Sequence, residues 1–169
     1  GVKLLPPDVN ESDAGFTPLE NSVRFGLNAI KGIGSTTVQA ILEARKNGQF
    51  TSLFDFTNRL EQGAINRRGM ESLISAGAFD SLMPADTFTN VWRSRLFASI
   101  DLALSQAQRF WNDKLRGQND LFGGSQSSFD DIETPLPMAE PWTQLKLSQE
   151  EKSAIGFYLS NHPLDGHTK

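Results

Sequence analysis

The residues of this chain best suited by type and spacing to do chemistry form one run, Lys31-Gly32-Ile33-Gly34-Ser35-Thr36. Two glycines one residue apart permit a tight turn and leave no Cβ between the backbone and an approaching ligand. Ile33 between them anchors the turn by pointing inward, and Ser35 is expected to N-cap a following helix. The amides of Gly34, Ser35 and Thr36 then face outward at a helix N-terminus, where they can donate to a phosphate oxygen. Lys31, Ser35 and Thr36 add side-chain donors at the same place. Such contacts read a nucleic-acid backbone and not its bases, so the partner they imply is duplex DNA of any sequence. The bland alternative is a plain turn between two helices, since Gly-x-Gly is common. The flanking apolar spacing of Leu27, Ile30, Val38, Ile41 and Leu42 favours the phosphate site.

That spacing matches the helix-hairpin-helix pattern. A second constellation is Gln118-Asn119-Asp120-Leu121-Phe122, followed by Gly123-Gly124. A glutamine with Leu-Phe at the third and fourth positions after it resembles the short peptide that docks on a bacterial sliding clamp. Leu121 and Phe122 would fill an apolar pocket and Gln118 would hydrogen-bond at its rim. A loop folding Leu121 and Phe122 back onto its own domain satisfies the same spacing, and both readings stand at this level. His162 and His167 flank Asp165 without a third ligand at sensible spacing, so no metal site is expected. No Gly-x-x-x-x-Gly-Lys loop and no Ser/His/Asp set occurs in a context that serves catalysis, so neither an active site nor a cofactor is expected.

The elements that must position these residues give a mainly α fold. Residues 1–28 read as an extended lead-in with a small β-hairpin around Pro18-Leu19-Glu20-Asn21. Residues 29–83 read as a helix-hairpin-helix DNA-binding unit. Its first helix follows Ser35 and stops near Asn47-Gly48, its second runs from Ser52 to Leu60, and its third from Asn66 to Ala76. Over 84–117 the apolar residues Phe88, Val91, Trp92, Leu96, Ile100, Ala103, Leu104, Ala107, Phe110, Trp111 and Leu115 recur every three or four positions. That pattern predicts one long amphipathic helix, or two with a bend, burying the stripe. The clamp-like peptide occupies 118–124, a flexible linker 125–147, and a closing helix 148–169, its start signalled by the capping-box pattern Ser148-Gln149-Glu150-Glu151.

Composition bounds the function. The chain has 169 residues and a formal charge of −4, which excludes a broadly basic surface. Residues 118–169 carry three Lys/Arg against eight Asp/Glu, whereas 84–117 carry five against three, so any DNA contact must be local. No cysteine is present, which excludes a disulfide framework and fits a reducing cytosol. Apolar runs are far too short for a membrane span, so no membrane partner is expected. The start without Met and the abrupt Thr-Lys end read as an excised fragment.

Several stretches together carry a resemblance. Leu-Pro-Pro-Asp-Val-Asn (5–10), Arg-Phe-Gly-Leu-Asn-Ala-Ile-Lys-Gly-Ile-Gly (24–34), Ala-Ile-Leu-Glu-Ala-Arg (40–45), Ser-Leu-Phe-Asp-Phe (52–56), Ile-Ser-Ala-Gly-Ala-Phe-Asp (74–80) and Gly-Phe-Tyr-Leu-Ser-Asn-His-Pro-Leu-Asp (156–165) resemble, in order, the α subunits of bacterial DNA polymerase III. The resemblance implies a non-catalytic piece of a DNA-directed DNA polymerase (a nucleotidyltransferase) whose catalytic carboxylates lie upstream. It implies a cytoplasmic, nucleoid-associated parent that meets duplex DNA, the sliding clamp (β subunit) and other replicase subunits. It also favours the clamp reading of Gln118, Asp120, Leu121 and Phe122. Two alternatives are a stand-alone helix-hairpin-helix DNA-binding or repair module, against which the chain order argues, and a protein adaptor with a silent hairpin.

Overall fold

The computed structural model describes residues 3–119 and 136–156, with side chains up to 116 in the first stretch. Three short strands come first, β1 (Lys3–Leu5), β2 (Thr17–Pro18) and β3 (Ser22–Arg24), ordered β1-β3-β2. β2 and β3 are antiparallel, with Thr17 opposite Arg24 and Pro18 opposite Val23, which is the expected hairpin. β1 pairs parallel to β3 and carried no local signal, because its partner is distant in sequence. The lead-in is tied down by its own side chains. Asn10 donates from Nδ2 to the Phe50 carbonyl (3.0 Å) and accepts from the Phe50 amide at Oδ1 (2.7 Å), while Val9 is fully buried.

Helix α1 spans Ser35–Ala44, and its N-cap is Gly34 rather than the expected Ser35. The chain is still extended at Gly34 (φ −92°, ψ 168°), so Ser35 already lies in the first turn and no side chain caps the helix. A 3-10 turn over Arg45–Asn47 ends at Gly48, whose φ of +120° suits glycine. Helix α2 (Leu53–Arg59) is capped by Ser52, which accepts from the Asp55 amide at 3.0 Å. Helix α3 (Arg67–Ser75) is capped by Asn66, which accepts from the Gly69 amide at 2.8 Å. Val38, Ile41, Leu53, Phe56, Met70, Leu73 and Ile74 are buried between these helices. Each such side chain stabilises the fold by about 1.5–3 kcal/mol. Phe56 stands edge-on to both Phe50 and Phe79, with centroids 4.9 Å apart in each pair.

The stripe after residue 84 forms two helices, α4 (Thr89–Ala98) and α5 (Ile100–Asn119). They part at buried Ser99, whose hydroxyl donates to the Arg95 carbonyl at 2.7 Å. Trp92, Leu96, Ile100 and Ala103 are buried as expected, whereas Phe88 is 75% and Leu115 50% exposed. The stripe is longer than the body it packs on, and residues 112–116 of α5 are all exposed.

Helix α6 spans Gln144–Ile155, starting earlier than the Ser148 expected to cap it. Thr143 is the N-cap, accepting from the Lys146 amide at 3.1 Å, and Ser148 is buried inside the helix. The linker expected through residue 147 accordingly does not extend over 136–147. Trp142 is 6% exposed, its ring meets Phe97 edge-on at 5.3 Å, and its amide and carbonyl each bond Asn90 at 3.1 Å. An indole of that size has too much apolar area to remain in a solvated linker.

Helix α6 is joined to α4 by a buried charge. The Arg93 guanidinium, 1% exposed, donates to both Asp80 oxygens (3.1 and 2.6 Å), to the Ser75 carbonyl (3.3 Å) and to Glu151 (3.4 Å). Burial alone would lower the pKa of Arg93, but its bonds to Asp80 and the charges of Asp80 and Glu151 outweigh that and raise it. Glu151, expected to serve a capping box, is instead a fully buried counter-ion.

Candidate nucleic-acid interface

Each residue of the run from Lys31 to Thr36 has a distinct place. Gly32 has φ +88°, and a Cβ there would come within 2.9 Å of Ser72 Oγ on α3. Gly32 is therefore required both by the turn and by the close approach of α3. Ile33 turns inward, half-buried, with its Cδ1 3.5 Å from where a Cβ on Gly69 would sit. Gly34 differs: its φ is ordinary and a Cβ would meet nothing within 4 Å. The fold needs Gly32 but does not need Gly34.

The polar groups of this hairpin are sorted by the fold. The Lys31 amide donates to the Ala154 carbonyl of α6 at 2.6 Å, and the Ile33 amide to the Ile30 carbonyl at 3.3 Å. Thr37 Oγ1 donates to the Ala64 carbonyl at 2.5 Å. Among the described residues, the amides of Gly34, Ser35 and Thr36 meet no protein acceptor. Lys31, Gly32, Gly34, Ser35 and Thr36 are all exposed. The start of α1 thus presents free N–H groups to solvent with no side chain in front of them, which suits an anion.

The second turn, between α2 and α3, is built differently. Gly63 has φ +83°, the Ala64 amide is bonded to the Glu61 carbonyl at 2.9 Å, and Asn66 already holds the Gly69 amide. Arg67 is paired with Asp101 and with Glu71 (3.1 Å), and its bond to Asp101, foremost, holds its pKa above the ordinary value. The turn borders an open groove of about 240 Å³ shared with α5, with Leu60, Ile65, Ala107 and Trp111 on its walls. At the second turn the Ala64 and Gly69 amides are taken up, while those of Arg67 and Arg68 meet no protein acceptor among the described residues.

Sequence reasoning overlooked Arg68. Its Cγ and Nε lie 3.8 and 3.6 Å from the Cβ position of Gly32, so the side chain crosses the first turn from α3. The adjacent arginines at 67 and 68 were visible, but nothing local says which hairpin they reach. Gln118 belongs by its backbone to the last turn of α5, while Asp120, Leu121 and Phe122 lie outside the described residues, as do His162 and His167. Among the described residues no group of three His, Asp or Glu side chains is placed to hold a metal ion. No described helix is long and apolar enough to cross a membrane.

Comparison with known proteins follows the same lines. The model of a family described as the helix-hairpin-helix motif matches residues 1–87. DNA polymerase III subunit alpha of Neisseria meningitidis serogroup A is 41% identical over 96% of this chain. The subunits of that name from Aquifex aeolicus and Escherichia coli K12 are 40% and 35% identical over all of it. The chain spans only 14%, 12% and 14% of those three relatives, respectively. With a turn fixed by Gly32 and Ile33, unoccupied amides opening α1, and a family match over half its length, the chain belongs to the helix-hairpin-helix family.

Proposed function

We propose that this chain is a non-catalytic segment of a replicative DNA polymerase that grips the phosphate backbone of duplex DNA and tethers the enzyme to its sliding clamp. The observation that carries the DNA reading is the set of unoccupied amides at Gly34, Ser35 and Thr36, opened to solvent beside a glycine the fold does not need. Lys31, Ser35 and Thr36 supply side-chain donors around them, and Ile33 holds the turn. Such contacts are made to phosphate oxygens, so binding is indifferent to base sequence. The similarity to polymerase subunits supports a replicative setting, in a bacterial cytoplasm at the nucleoid and among other replicase subunits.

The tether is Gln118, Asp120, Leu121 and Phe122. Two things support it: the spacing of the motif, and its attachment to α5, whose residues 112–116 are all exposed where the helix leaves the body.

The DNA reading is tested by titrating the 169-residue chain with a fluorescent duplex, comparing wild type with Gly34→Val. Wild type should bind with a Kd on the order of 10⁻⁴–10⁻⁶ M at physiological salt, equally for unrelated sequences. Gly34→Val should keep the helical circular dichroism and lose binding. A folded Gly34→Val protein that binds like wild type removes the hairpin as the contact. Absent duplex binding alongside retained clamp binding would replace this reading with that of a protein adaptor.

A further inference from the structure

The second helix pair carries two adjacent arginines, Arg67 paired with carboxylates and Arg68 not, and that difference has a functional reading. We propose that Arg68, which belongs to the second pair, is the cationic contact for the phosphate held at the first hairpin. The two pairs then build one composite backbone site and not two separate ones. The inference rests on the DNA reading above and names a further residue of that site.

Three observations carry it. Arg68 lies across Gly32, with Nε 3.6 Å from the Cβ position of that glycine, so its guanidinium is beside the turn that opens onto the free amides. Arg68 is exposed and, among the described residues, has no carboxylate partner, whereas its neighbour Arg67 is bound to both Asp101 and Glu71. At the second turn the Gly69 amide is already held by Asn66 and the Ala64 amide by the Glu61 carbonyl. A planar guanidinium can fork onto two phosphate oxygens, and beside unpaired amides it adds charge where the chain otherwise has little. In a protein of net charge −4, one unpaired arginine at the turn outweighs several already neutralised elsewhere. The Arg68 stem lies at van der Waals distance from the Cβ position of Gly32. Arg68 also shares one face of α3 with Ser72, whose Oγ touches the same spot.

The test measures binding of a fluorescent 20-base-pair duplex to the full chain across a salt series, for wild type, Arg68→Gln, Arg68→Lys and Arg67→Gln. Arg68→Gln should weaken binding about tenfold at low salt, the loss of a charge-assisted contact. Its slope of log affinity against log salt should flatten by about one unit, one phosphate contact fewer. Arg68→Lys should restore the slope and only part of the affinity. Arg67→Gln should keep the wild-type slope. Equal losses for Arg67→Gln and Arg68→Gln would mean that only net charge matters, and would overturn the proposal. An unchanged slope in Arg68→Gln overturns it too. If Gly34→Val still abolishes binding in that case, the hairpin reading survives the failure. Since Arg68 is exposed, its variants should keep the wild-type melting temperature, and binding is read on that folded protein.

Discussion

Arg93 and Glu151, 58 positions apart, meet as buried charges 3.4 Å from each other, and this pair fastens α6 to the helical body. The same helix accepts the Lys31 amide at its Ala154 carbonyl, three residues further on. The first hairpin therefore rests on an element more than a hundred residues downstream. Replacing Glu151 by Ala should leave Arg93 with Asp80 as its one carboxylate partner and destabilise the protein by about 3 kcal/mol, the lower end for breaking a buried pair. Urea unfolding measures this, and a loss below 1 kcal/mol would show that Asp80 suffices to satisfy Arg93.

Asp80 should give the network a pH dependence. Burial, opposed by the bond from Arg93, pushes its carboxyl above the ordinary 3.8. A raised value means the folded state favours the protonated acid. The stability it contributes is complete below 3.8 and declines as pH rises through the raised value. Asp80→Asn should therefore gain on wild type as pH climbs through that window. Parallel curves for the two proteins would contradict it.

How much of this was legible in the sequence depends on the range of the signal. The helix starts at Ser52 and Asn66 were readable because the amides those side chains accept from lie within one turn. Ser148-x-x-Glu151 looked like a cap for the same local reason, but Glu151 turned to Arg93, a partner no local window contains. Thr143, the residue that caps α6, was hidden by the Pro-rich stretch before it, which read as a linker. At the candidate site, Gly32-Ile33-Gly34 was visible as a motif. The arrival of Arg68 over Gly32 depends on how α3 packs, and a list of residues does not contain that.

The two hairpin glycines should separate stability from binding. Gly32→Ala forces a side chain into φ +88° and against Ser72 Oγ, so it should cost about 1–2 kcal/mol. Gly34→Ala places its methyl in open space at an ordinary φ, so its melting temperature should match wild type. Thermal unfolding of both variants decides the matter. A Gly34→Ala protein as destabilised as Gly32→Ala would refute the claim that the fold does not need this glycine.

Trp142 should hold the 136–143 stretch against α4. Trp142→Ala removes a nearly buried indole packed on Phe97 and should destabilise by about 3–5 kcal/mol. Loss of Trp142 should also raise amide exchange at Asn90-side bonds before the rest of the core. Simultaneous exchange throughout would make α4 and this stretch a single cooperative unit.

The clamp peptide carries the last expectation. Burying Leu121 and Phe122 in an apolar pocket should contribute about 1.5–3 kcal/mol each, before the cost of ordering the segment. Docking as an extended peptide adds a further cost, because Gln118 and Asn119 are helical at the end of α5 and that turn must open. Net affinity should then be near micromolar, about −8 kcal/mol. A modest tether suits a polymerase whose clamp encircles the same DNA, since effective concentration holds the assembly together while each contact still releases. Changing Leu121 and Phe122 together to Ala should abolish clamp binding in a calorimetric titration and leave the melting temperature and duplex affinity unchanged. A double variant that binds clamp as tightly as the parent chain would place the tether elsewhere.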